Sequence, residues 1–95
     1  MRKYELMMIT DPTLSDADRE TLFTEVKAEL TTHSITIVSE DAWGVRDLAY
    51  KINASTTGYY MLYQLESDGS TLIAVTKDLN LKKSIWRHMF VRTDE

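Results

Sequence analysis

Apolar and polar residues alternate with period two at the start of the chain. Over residues 2–10, Tyr4, Leu6 and Met8 fall on one side and Met7 and Ile9 on the other. Apolar residues on both faces predict an inner strand. Asp11-Pro12 ends it, because the residue before a proline is pushed away from helical geometry. Ser15 is a good helix N-cap, and Asp16 and Asp18 sit where the helix dipole favours negative charge. Leu22, Phe23, Val26 and Leu30 then recur at helical spacing, predicting a helix to about Thr32 that Thr31-Thr32-His33-Ser34 brings to a stop. Ile35, Ile37 and Val38 open a second strand that runs through Trp43, bends at Gly44 and continues to Ile52.

Residues 53–58 are polar and end in glycine, which predicts a turn, and residues 59–66 (YYMLYQLE) are the clearest strand of all. Two strands joined so closely make a hairpin. Either Asp68 or Ser70 can cap a short second helix, in which Leu72, Val75 and Leu79 recur up to about Asn80. Residues 85–92 form a last strand, with Ile85, Arg87, Met89 and Val91 on one face and Trp86, His88, Phe90 and Arg92 on the other. The order β-α-β-β-α-β predicts an α+β, ferredoxin-like split βαβ fold. Its four-stranded antiparallel sheet would carry two helices on one face, with the first and third strands in the middle. At 95 residues, one domain spanning 1–95 is expected.

Charge changes the picture by its distribution more than by its sum of −4. Six acids lie between Asp11 and Glu29 against Arg19 and Lys27, whereas five bases lie between Lys77 and Arg92 against Asp78. The first helix is therefore acidic and the C-terminal third basic. With no cysteine, thiol catalysis, disulfides and zinc–thiolate sites are excluded. No apolar run approaches the length that spans a bilayer, and the apolar start holds Tyr4 and Glu5, which fits a strand better than a secretion signal.

Four stretches carry a family likeness: MRKYE, WGVRDLAYKIN, GYYMLYQLE and HMFVR, in that order over nearly the whole length. Through them the sequence resembles the family of ribosomal protein six of the bacterial small ribosomal subunit. The resemblance implies a protein without enzymatic activity, cofactor, metal or small-molecule substrate, and without a membrane. It also implies binding to small-subunit ribosomal RNA in the platform, or central domain, cooperatively with ribosomal protein eighteen. It places the chain in the cytoplasm within the ribosome, or in the matrix of an organelle of bacterial descent. Arg2, Lys3, Arg46 and Arg92 fall where family members carry basic residues. Asp47 stands where a second basic residue is common, and Lys51 where proline is usual.

In the expected topology Arg2, Lys3, Arg46, Lys51, Arg87 and Arg92 lie near strand ends or on the sheet's rim, positions from which they would contact RNA phosphates. The plain alternative for each is a solvating surface charge. Trp43, Tyr50, Tyr60 and Trp86 are candidate anchors for a protein interface, against the alternative that each tryptophan covers an end of the core. Tyr59 and Tyr63 share a face with Met61 and Leu65 and are expected in the core, leaving Tyr60 for stacking. The signatures of an RNA-recognition motif are absent. His33 and His88 lack a carboxylate or nucleophile at a telling spacing and are expected to be structural or solvent-facing. Acylphosphatase shares the fold, but the loop after the first strand offers Asp11-Pro12-Thr13 instead of a glycine-rich phosphate cradle. The other reading kept open is a ferredoxin-like interaction or dimerisation module without RNA binding.

Overall fold

A computed structural model describes residues 2–93. The elements are β1 (Arg2–Thr10), α1 (Asp16–Thr32), β2 (Thr36–Ile52), β3 (Ser55–Ser67), α2 (Leu72–Asn80) and β4 (Ile85–Arg92). They form one antiparallel sheet in the order β2-β3-β1-β4, so the first and third strands are the inner ones, as expected. This is the ferredoxin-like arrangement expected from the sequence.

Period-two geometry sorts the sheet's two faces. Tyr4, Leu6 and Met8 of β1 and Met61, Tyr63 and Leu65 of β3 point under the helices, where they meet Leu22, Phe23, Val26 and Leu30 of α1 and Val75 and Leu79 of α2. Ser15 caps α1 as expected, its Oγ accepting from the Asp18 backbone N–H at 3.1 Å. The helix ends in a Schellman closure, in which the Ile35 N–H donates to the Leu30 carbonyl and the Ser34 N–H to the Thr31 carbonyl. Ser34 takes the left-handed conformation this requires (φ 61°), and Ile35 follows it into the core. Termination is thus a closed motif, more than a stretch of weak helix formers.

Three expectations are corrected. The β2–β3 turn is not the six residues 53–58 but Asn53-Ala54 alone, both at positive φ (50° and 65°) as a tight hairpin turn demands. Residues 55–58 belong to β3 and pair back onto β2. Second, α2 begins at Leu72, and its N-cap is Thr71, which makes no side-chain cap hydrogen bond. Asp68 instead accepts from the Ser70 N–H (2.9 Å) and hydroxyl (2.7 Å), which holds its carboxyl below the usual range. Third, a register shift opposite Ile9 and Thr10 breaks the alternation of β4. Ile85 therefore drops into the core while Arg87, Met89 and Val91 stay on the opposite, uncovered face.

Candidate functional site: the uncovered sheet face

Each residue of β1 that points away from the helices heads a row across the sheet. The rows are Arg87–Ile9–Tyr60–Gly44, Met89–Met7–Leu62–Asp41 and Val91–Glu5–Gln64–Ser39. Beyond these, Lys3 pairs with Glu66, which pairs with Thr36. Successive rows lie two residues apart, roughly 7 Å. The face is graded in chemistry. One end is polar, with Gln64 Nε2 donating to Glu5 Oε2 at 2.7 Å. The other is aromatic, apolar and cationic.

That second end is built by the irregular course of β2. Gly44, at φ +80°, bends the strand, and a register shift between Ala42 and Gly44 turns Trp43 onto the uncovered face. The Trp43 indole stacks on Tyr60, with ring centroids 6.3 Å apart and planes 9° from parallel. Its Nε1 donates to Asp41 Oδ2 at 3.0 Å, which fixes the ring. The Arg46 guanidinium lies 5.6 Å from the same ring, and its Nε donates to the Trp43 carbonyl at 3.3 Å. Asp47 pairs with Thr57 and so projects from the other side of the strand, away from Arg46.

Past Asp47 the pairing slips until Ile52 meets Ser55, so residues 48–51 bulge out of the ladder. The bulge reaches back over the sheet. Leu48 Cδ2 lies 3.2 Å from where a Cβ would stand on Gly58, and Ile9 Cγ2 only 2.6 Å away, so glycine gives both side chains room there. Tyr50, 64% exposed, comes to line a cavity of about 270 Å³ with Met7, Ile9, Arg87, His88 and Met89. Lys51 is exposed beside it near the hairpin tip.

Of the residues singled out in the sequence, Trp43, Tyr60 and Arg46 form one cluster, and Tyr50 and Arg87 meet beside the same end of the face. Lys3 shares the face but stands six residues along β1 from Ile9, roughly 20 Å away. Arg2 and Arg92 follow the helix-side alternation of Tyr4 instead. The Arg2 guanidinium approaches the Gly69 turn, and its charge helps hold the Asp68 carboxyl down. Trp86 is half-buried at the β4 irregularity, and its carbonyl accepts from Arg87 Nη1 at 2.8 Å. Tyr59 and Tyr63 lie on the core side as expected, Tyr63 edge-on to Phe23. His88 sits under the sheet edge, edge-on to Phe90, and burial lowers its pKa. In the loop after β1, Asp11 Oδ1 is engaged by the Thr13 N–H (2.9 Å) and hydroxyl (2.6 Å).

Sequence reasoning missed one constellation. His33 Nε2 lies 3.1 Å from Asp78 Oδ2, 45 residues away, with Glu29 close by. The four-residue spacing of Glu29 and His33, across the last turn of α1 and its C-cap, was the available signal.

Comparison with known proteins agrees with this architecture. The family model described as Ribosomal protein S6 matches residues 3–92. The chain is similar to small ribosomal subunit protein bS6 of Fusobacterium nucleatum, at 42% identity over 99% of this chain and 100% of that one. It is also similar to bS6 of Thermoanaerobacter pseudethanolicus, at 34% identity over the whole of both chains. The crystal structure of 30S ribosomal protein S6 from Thermotoga maritima superposes with a TM-score of 0.91 at 27% identity, covering 97% of this chain and 87% of that one. With sequence and fold in agreement, the chain belongs to the ribosomal protein S6 family of the small ribosomal subunit.

Proposed function

We propose that this chain binds small-subunit ribosomal RNA in the platform cooperatively with ribosomal protein eighteen, and that the uncovered sheet face carries those contacts. Family membership makes it a structural component of the ribosome, not an enzyme. What supports the finer reading is the Trp43–Tyr60 stack with Arg46 over it, at the same end of the face as Arg87 and Tyr50. Arginine and lysine at that end would meet backbone phosphates. The exposed apolar residues of the face, Tyr50, Met89 and Val91 among them, would be covered by the protein partner. Lys51 belongs to the same set. Lys3, Arg2 and Arg92 make a second, separate group for RNA at the far end of the sheet, and Trp86 an anchor at the β4 edge.

With a net charge of −4 and few bases on the face, the chain alone should bind RNA weakly, and a basic partner held beside it supplies the missing affinity. The test is a titration against a central-domain ribosomal RNA fragment at two salt concentrations, with and without protein eighteen. Salt-sensitive binding that tightens when the partner is present is expected. Binding that is absent with the partner, or indifferent to it, would instead favour the interaction-module reading.

A further inference from the structure

We propose that Glu29, His33 and Asp78 form a binding site for a divalent d-block cation of the zinc class, where the C-terminal turn of α1 meets α2. The site lies on the helical side of the molecule, opposite the sheet face discussed above, and does not depend on that reading.

Donor geometry carries the inference. One ligand atom from each of the three side chains lies within 4.8 Å of the other two. Two ligands about 2.0–2.1 Å from a tetrahedral zinc stand roughly 3.3 Å apart, and His33 Nε2 and Asp78 Oδ2 are 3.1 Å apart. Glu29 lies in the last turn of α1 and His33 is the C-cap residue that follows the helix. The third donor comes from α2, so a bound ion would clip the helices together. All three residues are half-buried, which leaves a coordination position open to water.

The electrostatics favour a cation over the ion pair alone. His33 and Asp78 could pair without Glu29, yet Glu29 brings a second carboxyl against Asp78. The two carboxyl groups and the imidazole thus converge on one point. A divalent ion held between the two carboxyl groups would offset their mutual repulsion. No basic residue occupies the last turn of α1, whose C-terminal carbonyls add partial negative charge. Lys82 is the cation facing the cluster, and its ammonium is drawn aside to Glu25 at 3.5 Å. One imidazole with two carboxylates suits zinc and its neighbours, whereas magnesium and calcium favour all-oxygen shells.

The experiment is calorimetric titration of the whole chain with zinc chloride, and separately with magnesium chloride, against His33→Gln, Glu29→Gln, Asp78→Asn and the control His88→Gln. Melting in chelator establishes that each variant is folded. One zinc per chain is expected, weakened at least roughly tenfold by each of the three site substitutions and unchanged in His88→Gln. The melting temperature of the unaltered chain should rise with zinc. Absence of one-to-one zinc binding would overturn the proposal. So would zinc affinity that survives in folded His33→Gln or Glu29→Gln, or magnesium bound as tightly as zinc.

Discussion

Ser34 holds the left-handed conformation that ends α1, a place where glycine has no Cβ to strain. Ser34→Gly should therefore stabilise the fold by about 0.5–1 kcal/mol, seen as a higher midpoint in urea with an unchanged slope. A lower midpoint would mean that the serine hydroxyl contributes more than the backbone strain costs. Tyr63 presents the converse case. It is fully buried, its hydroxyl bonds to no group among the described residues, and burial pushes its pKa far above the ordinary value. Leaving a buried donor unpaired costs free energy that phenylalanine would not incur. Tyr63→Phe should be neutral or stabilising by up to roughly 1 kcal/mol in the same measurement, and a clear loss would reveal a partner for the hydroxyl. Neither feature was legible in the sequence. Nothing local marks Ser34 as left-handed, and the face of Tyr63 could be read from its alternation with Met61 and Leu65, but not the fate of its hydroxyl.

At the scale of elements, strands and helices were legible wherever burial set the pattern. The period-two run of β1 and the helical spacing of Leu22, Phe23, Val26 and Leu30 reflect one side packed against the core, and both elements lie where they were expected. The pattern failed where local backbone geometry decides. At Ile85 a register shift overrides alternation, and at residues 53–58 a polar sequence reads as a long turn although Asn53-Ala54 suffices. Both β-to-α loops use the same device, an aspartate accepting from the residue two ahead, at Asp11 and again at Asp68. The β2–β3 hairpin matters most for the site, because its bulge carries Leu48 and Tyr50 back over the sheet. A Cβ on Gly58 would stand 2.6 Å from Ile9 Cγ2. Gly58→Ala should cost about 1–3 kcal/mol and shift the Tyr50 and Ile9 resonances together in an NMR spectrum. If those resonances stay put, the bulge is not seated on the sheet as described.

For the molecule as a whole, the two faces of the sheet divide the work. One is sealed by α1 and α2, while the other leaves Met89, Val91, Tyr50 and Trp43 in water. Six cations were legible as candidates in the sequence, but not their grouping. Arg46, Arg87 and Lys51 gather at one end, while Arg2, Lys3 and Arg92 lie at the other, with Arg2 turned toward the Gly69 loop. Such grouping depends on the bulges in β2 and β4, which sequence spacing does not encode.

The salt dependence of RNA binding in the presence of protein eighteen, compared between the unaltered chain, the Arg46→Ala/Arg87→Ala pair and Arg2→Ala, tests the central claim most directly. The paired substitution should weaken binding and lower the salt slope by about 2, one for each phosphate left without its arginine, whereas Arg2→Ala should change both less. An unchanged slope in the folded pair, or a larger effect from Arg2→Ala, would contradict the assignment of RNA binding to this end of the uncovered face.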